Sequence, residues 1–312
     1  MGFANTSGFS LTLQLDYINQ DQLRSGRDTV PAAQVAALNT PPPGLGQEVE
    51  HQTVNRYTTL GLAYAPNPDW NFRILIPYLD RSHSTYGPAS NPLTPDQLSS
   101  TTVTGLGDIK VIAGYAGLLP RNNLVLQFGL KLPTGDYGGQ NTTGGPVVGR
   151  NPVSFGPSGN SAGILLDTSL QAGTGSTDAI LGVMFHQAVS ENLRAFVSDQ
   201  FQAAVSQKLD QSGSDFRPGN QDTLTVGLRY ENSMAVVPQI QFNFTHKCAD
   251  QGALADTADT AGTVAYLSPG VIAQVKGGLQ AYVFIQLPFY SNLSGYQLFP
   301  RWTGTLGLAW RF

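Results

Sequence analysis

The sequence predicts an all-β fold: a transmembrane antiparallel up-and-down β-barrel of about twelve strands, with short periplasmic turns and long extracellular loops. Three observations point there. First, the last twelve residues alternate strictly. Trp302, Gly304, Leu306, Leu308, Trp310 and Phe312 share one face, and Arg301, Thr303, Thr305, Gly307, Ala309 and Arg311 share the other. A strand has period two, so one face here is apolar and the other polar or small. The Trp near each end of the apolar face matches a lipid-facing strand, whose aromatic rings sit at both membrane–water boundaries. Second, only 12% of the 312 residues are charged, about half the usual share for a soluble globular chain. Third, the same alternation recurs along the chain, and the connections between alternating segments are sorted by length.

The segments follow in order. Around Leu11–Ile18, the residues Leu11, Leu13, Leu15 and Tyr17 share a face. Leu60, Leu62 and Tyr64 form the next row, and Phe72, Ile74, Ile76 and Tyr78 the third. Ile109, Val111, Ala113 and Tyr115 are followed by Leu124, Leu126, Phe128, Leu130 and Leu132. Ala179, Leu181, Val183 and Phe185 precede the less regular Leu193–Ala204. Leu224–Tyr230 and Ile240–Phe244 alternate cleanly. Val264–Val275 is broken by Pro269, which predicts a bend or bulge. The row Leu279–Phe289 precedes the closing strand, giving an even count, as single-chain bacterial barrels have.

Short turns are expected at Pro66–Asp69, Leu119–Asn122, Ser190–Asn192, Glu231–Ser233 and Lys276–Gly278, all rich in turn formers. Long polar connections are expected at Gln20–Gln52, Ser82–Thr104, Thr134–Thr174, Gln207–Asp222, Ala249–Thr263 and Ser291–Pro300. Short and long alternate throughout, which a barrel explains and a β-sandwich or propeller does not. Both termini then face the periplasm, and residues 1–312 form one outer-membrane barrel domain. Lipid offers no partner to a free strand edge, so the last strand must pair with the first. Within the long loops, Ala32–Leu38 suggests one or two helical turns. Ile164–Leu166 is an apolar island that either lengthens a strand or folds inward as a constriction.

Composition narrows the function classes. No run of about 18 apolar residues exists, so no transmembrane helix is expected. A net charge of -4 gives no sign of a nucleic-acid partner. The single cysteine, Cys248, excludes an internal disulfide and reads as a free loop thiol. The start, Met1–Ser7, has neither a basic nor an apolar export region. The numbering is therefore expected to begin near the mature chain, with a signal removed or replaced.

Three segments carry a family resemblance. Thr104–Tyr115 reads TGLGDIKVIAGY, Leu130–Asp136 reads LKLPTGD, and Ala172–Gly182 reads AGTGSTDAILG. In this order they resemble the outer-membrane transporters of the meta-pathway of phenol degradation family. The match is carried by the middle third of the chain. It implies a barrel of twelve or so strands near aromatic-compound catabolism, and offers no catalytic residues. By resemblance to other outer-membrane barrels, Phe312 is the signal read by the barrel-assembly machinery.

The chemistry follows from which residues face inward. The expected lumen-lining set is Arg73, Lys110, Gln127, Lys131, Arg194, Arg229, Gln241 and Arg311, with Asp16, Asp178 and Asp199 as fewer inward acids. Such charges need water or partners. A basic excess favours anions, including carboxylates of aromatic acids, while a paired Arg/Lys–Asp ladder would merely stiffen the interior. Leu75, Ile112, Ile180, Met184, Tyr282 and Phe284 add apolar lining suited to an amphipathic or hydrocarbon solute, or to ordinary packing. A rim lipid hydrolase is disfavoured: His186 and Ser190 lack an orienting third group and a Gly-x-Ser-x-Gly elbow. His51, His83 and His246 read as solvated histidines, and Asp250, Asp256 and Asp259 as a solvated acidic loop without calcium-loop spacing.

The expectation is thus a passive outer-membrane channel for small aromatic or hydrophobic compounds, not an enzyme, without metal or cofactor. Its partners would be outer-membrane lipid, the assembly machinery and the solute. The alternative is a non-conducting barrel that anchors a surface or periplasmic protein.

Overall fold

The computed structural model describes residues 7–40, 46–231, 235–275 and 277–312. Fifteen strands appear in chain order: β1 Gly8–Gly26, β2 Asp28–Thr29, β3 Glu50–Asn67, β4 Trp70–Thr85, β5 Ser99–Leu106, β6 Lys110–Tyr115, β7 Leu124–Lys131, β8 Tyr137–Gln140, β9 Val147–Arg150, β10 Ser176–Ala188, β11 Leu193–Gln207, β12 Gln221–Tyr230, β13 Val236–Lys247, β14 Gly262–Gln274 and β15 Leu279–Arg311. The expected helical turn in the first long connection is α1, Ala32–Ala37. No described helix is long and apolar enough to cross a membrane.

Thirteen strands form one sheet; setting aside β2 and β5 at its rim leaves eleven that close into a ring through β1 and β15. Every neighbouring pair is antiparallel. β15 is 33 residues long. Its first half pairs β14, from Gln274↔Gln280 to Gly262↔Leu293, and its second half pairs β1, from Gly26↔Leu293 to Ser10↔Arg311. It therefore crosses the wall twice, and the barrel has twelve staves. Gly295, at φ +50°, supplies the left-handed residue where the chain reverses.

This corrects one expectation. Ser291–Pro300 is not a long loop but the tip of a continuous hairpin. Its polar residues go on pairing above the bilayer, where both faces of a strand meet water, so the apolar signal vanishes while the strand persists. For the same reason β1 runs on to Gly26 and β3 begins at Glu50, well inside the expected first loop. The bulge expected within Val264–Val275 lies at Ala265/Tyr266, and β13 pairs straight through Pro269. The turns expected at Glu231–Ser233 and Lys276–Gly278 fall partly outside the described residues.

The outer face is apolar as the alternation requires. Leu306, Leu308, Trp310 and Phe312 are exposed, as are Leu60-row partners Leu62 and Tyr64 and the row Phe72, Ile74 and Tyr78. Aromatic rings gather at two levels. Phe9–Tyr64 (4.5 Å), Trp70–Tyr115 (4.8 Å) and Trp310–Phe312 (5.2 Å) lie at the short-turn end, and Tyr17–Trp302 (5.6 Å) marks the upper edge. Just above that edge, the outward Arg56 and Asp80 form a 3.6 Å ion pair. These are the girdles of a barrel that spans lipid.

The long connections fold into the upper half of the ring. α1 buries Val35 and Ala36 against Leu23, Val30, Val49 and Leu298. The apolar island packs inward: Leu166 joins Leu79, Val103 and Phe155. The alternative of a strand lengthened above the membrane does not hold; Leu165 makes only an isolated bridge to Ser154. Arg81 fastens this loop, donating to Asn55 Oδ1 (2.6 Å), to Tyr57 Oη (2.9 Å) and to the carbonyl of Leu170.

A buried ionic knot joins wall to loop. Lys131 Nζ lies 2.8 Å from Asp108 Oδ2 and 3.4 Å from Asp178 Oδ1, with all three side chains at most 6% exposed. Asp108 also accepts from the backbone N–H groups of Gly135 and Thr174, and Asp178 from Ser176 Oγ and Gln202 Nε2. One cation between two carboxylates, each further hydrogen-bonded, is an arrangement in which burial is tolerated.

At the loop end the carboxylates of Glu48, Asp167, Asp256 and Asp259 converge. Gln47 Nε2 donates to Asp259 (2.6 Å), and the Leu298 N–H donates to Glu50 nearby (3.1 Å). Burial, then the charge of Asp167, pushes the Glu48 carboxyl up to about 7. Burial, then Asp256, pushes Asp167 up to about 6. The expected solvated acidic loop is thus only partly so. Asp250 is buried, 2.8 Å from Lys247 Nζ, and accepts from the Gly219 N–H.

Two outcomes follow. Lys131→Met leaves Asp108 and Asp178 uncompensated, so unfolding in denaturant should show a loss of about 3–5 kcal/mol. Folded-state values above the unfolded ones mean that the stabilisation by Glu48 and Asp167 is complete below about pH 4 and lost as pH rises through 6–7. Hydrogen exchange in residues 46–50 and 164–170, corrected for intrinsic rate, should therefore be less protected at pH 8.5 than at pH 5, and Glu48→Gln should shrink the difference.

Candidate functional site

Below the inward-folded loops, the lumen holds a cavity of about 1040 Å³. Its walls come from β1, β3, β4 and β10–β15, close to the short turns, so it belongs to the short-turn half of the barrel. Five of the eight expected residues, Arg73, Arg194, Arg229, Gln241 and Arg311, line it. The other three lie elsewhere on the inner face. Lys110 Nζ donates to Gln202 Oε1 (2.9 Å), Gln127 is buried, and Lys131 is held in the ionic knot. Sequence parity places a side chain inside but cannot say at what height the loops fill the lumen.

Among the described residues, four guanidiniums and one carboxylate, Glu231, are the charged groups lining the cavity, a formal surplus of three positive charges. Glu231 joins two of them: Arg194 Nε lies 3.0 Å from Oε2 and Arg229 Nη1 lies 3.5 Å from Oε1. Arg229 Nε also donates to Gln239 Oε1 (3.1 Å). Glutamines dominate the rest of the lining: Gln14, Gln239, Gln241, Gln274, Gln280 and Gln286 line the cavity. Tyr282 Oη donates to Gln14 Oε1 (2.8 Å).

The aromatic lining was legible in part. Tyr282 and Phe284 are there as expected; Phe196 is the residue sequence reasoning left out, because Leu193–Ala204 has an ambiguous register. Each ring lies over a glycine on the neighbouring stave. A Cβ on Gly227 would fall 2.4 Å from the Phe196 ring, on Gly270 2.1 Å from Phe284, and on Gly307 2.1 Å from Tyr282. The missing Cβ lets the ring lie along the wall, which covers the glycine backbone and keeps the bore wide.

Several expectations change. Asp199 is on the outer face, in phase with the exposed Val197 and Phe201, while the inward row is Arg194 and Phe196. Asp16 and Asp178 do face inward; Asp16 accepts from Thr305 Oγ1 (2.6 Å) and Gln14 Nε2 (2.9 Å). His83 is buried, not solvated, with Nδ1 2.8 Å from Thr53 Oγ1, because its strand continues inside the barrel beneath Phe155. His51 and His246 are at exposed positions as expected. His186 lines the cavity with Nδ1 3.5 Å from Arg194 Nη1, whereas Ser190 sits in the exposed turn beyond β10.

No protein-family model matches the sequence, and no curated protein matches it. Solved structures do match in shape. The COG4313 outer membrane channel from Pseudomonas putida F1 aligns over 99% of this chain and 97% of its own, with a TM-score of 0.66 at 12% identity. The β domain of the Bordetella autotransporter BrkA aligns over 98% of this chain and 100% of its own, with a TM-score of 0.49 at 13% identity. The Ralstonia pickettii toluene transporter TbuX aligns over 98% and 90%, with a TM-score of 0.47 at 9% identity. At such identities the first likeness speaks for the fold alone, and the fold is that of an outer-membrane β-barrel.

Proposed function

We propose that this chain is a passive channel of the bacterial outer membrane for small hydrophobic or aromatic compounds. The observation that carries it is the cavity of about 1040 Å³, kept open by aromatic rings laid flat on glycines and bordered by amides and guanidiniums. Apolar faces beside a few polar groups suit amphipathic solutes. Diffusion down a gradient needs no nucleotide and no catalytic group. The likeness in fold to the COG4313 channel agrees with this reading, as does the resemblance to the phenol meta-pathway transporters. On it, both termini and the cavity face the periplasm, and the Phe312 end is what the assembly machinery reads.

One observation favours a second reading, a non-conducting anchor for a partner protein. The clusters around Val35 and Leu166 fill the upper half of the ring. Solute flux into proteoliposomes decides between them. The channel reading expects flux of small aromatic solutes above that of empty vesicles; a sealed barrel with a stoichiometric co-purifying partner would establish the anchor instead. A matched pair of variants tests the bore. Gly227→Val should push the Phe196 ring into the lumen and lower flux several-fold, and Phe196→Ala in the same chain should restore it.

A further inference from the structure

The register of β11 and β12 puts two guanidiniums face to face. Arg194 is paired directly with Arg229, and two residues up the ladder, on the same face, Phe196 is paired with Gly227. Like charges directly opposite one another destabilise a sheet. Here one carboxylate, Glu231, is shared between them at 3.0 and 3.5 Å. Glu231 engages one nitrogen of each fork, and a guanidinium carries five N–H donors. The two side chains keep 39% and 20% of their surface open, on the cavity side. Half of the positive charge at this rung is therefore unmatched by its own carboxylate.

The neighbouring rung is apolar. The Phe196 ring lies over Gly227 and shows its face to the lumen. A cationic pair two residues, roughly 7 Å, along the strand from a flat aromatic face matches a molecule that is an aromatic ring at one end and an anion at the other. A plain hydrocarbon makes no use of the guanidiniums, and a simple inorganic anion makes no use of the ring.

We propose that Arg194, Arg229 and Phe196 form a binding site for small aromatic carboxylates, at which Glu231 is the resident counter-charge that a ligand carboxylate competes with. The carboxylate takes bidentate hydrogen bonds from the pair while the ring packs on Phe196. The site rests on the channel reading for its purpose, but its occupancy is measurable without transport.

The test uses benzoate and the full chain in detergent at low ionic strength, with binding followed by saturation-transfer NMR and equilibrium dialysis. Benzoate is expected to bind. Arg194→Gln and Arg229→Gln should each weaken it by about tenfold or more, and Phe196→Ala by less. Toluene binding should respond to Phe196→Ala and not to either arginine change. Glu231→Gln, which keeps the shape and removes the competing charge, should tighten benzoate. Heat-modifiable gel mobility shows that each variant is folded; if an arginine variant is not, Phe196→Ala and Glu231→Gln decide. Benzoate that fails to bind, or that binds equally well without Arg194 and Arg229, overturns the site. Flux of neutral solutes without benzoate binding sinks the site and leaves the channel; benzoate binding without flux sinks the channel and leaves the site.

Discussion

The pairing of β1 with β15 is the constraint on which everything else rests. Inside lipid, an unpaired strand edge costs several kcal/mol for each stranded N–H or C=O. The ring is sealed down to its last residue: Phe9 N donates to Phe312 O and Phe312 N to Phe9 O, both at 3.1 Å. Once the edges are joined, period two does the rest. Within the bilayer, residues pointing out meet acyl chains and residues pointing in meet water, a loop or another side chain. The apolar exterior and the arginine-lined interior are two readings of one geometric fact.

The interior is then divided by the loops. Chain segments that would be surface loops on a soluble protein find a wet cylinder beneath them, and they bring their own small cores. Val35 and Leu166 play there the part that core residues play in a globular fold. Lys131 holds the loop side to the wall side because its two carboxylates come from the turn before β6 and from β10. Below that level the wall carries glycines under aromatic rings, and space remains.

Much of this was legible in the sequence. The closing strand, Arg301–Phe312, and the rows at Phe72–Tyr78 and Leu224–Tyr230 could be read because lipid forces alternation on them. Above the bilayer that pressure ends, so Ser291–Pro300 read as loop although its pairing continues. His83 was misread for the same reason, since its strand outlasts its apolar row. Asp199 broke parity because β11 places a carboxylate outside among Val197 and Phe201. The inward direction of Arg229 followed from alternation, and Arg194 was expected inward as well. Their juxtaposition did not, because register between strands is a property of the folded sheet. The flattening of Phe196 on Gly227 was hidden likewise.

The separation of charge along the barrel has an electrical consequence. Carboxylates gather where the long loops meet, around Glu48 and Asp167, while guanidiniums gather beside the tight turns. On the channel reading, and at a pH above the raised values of Glu48 and Asp167, a water-filled tube with negative charge at one mouth and positive charge at the other is a bipolar junction. One polarity of applied voltage drives mobile ions into the middle, and the opposite polarity sweeps them out. Such a tube is a rectifier, and the sense of its rectification would report which way round the molecule sits in a membrane.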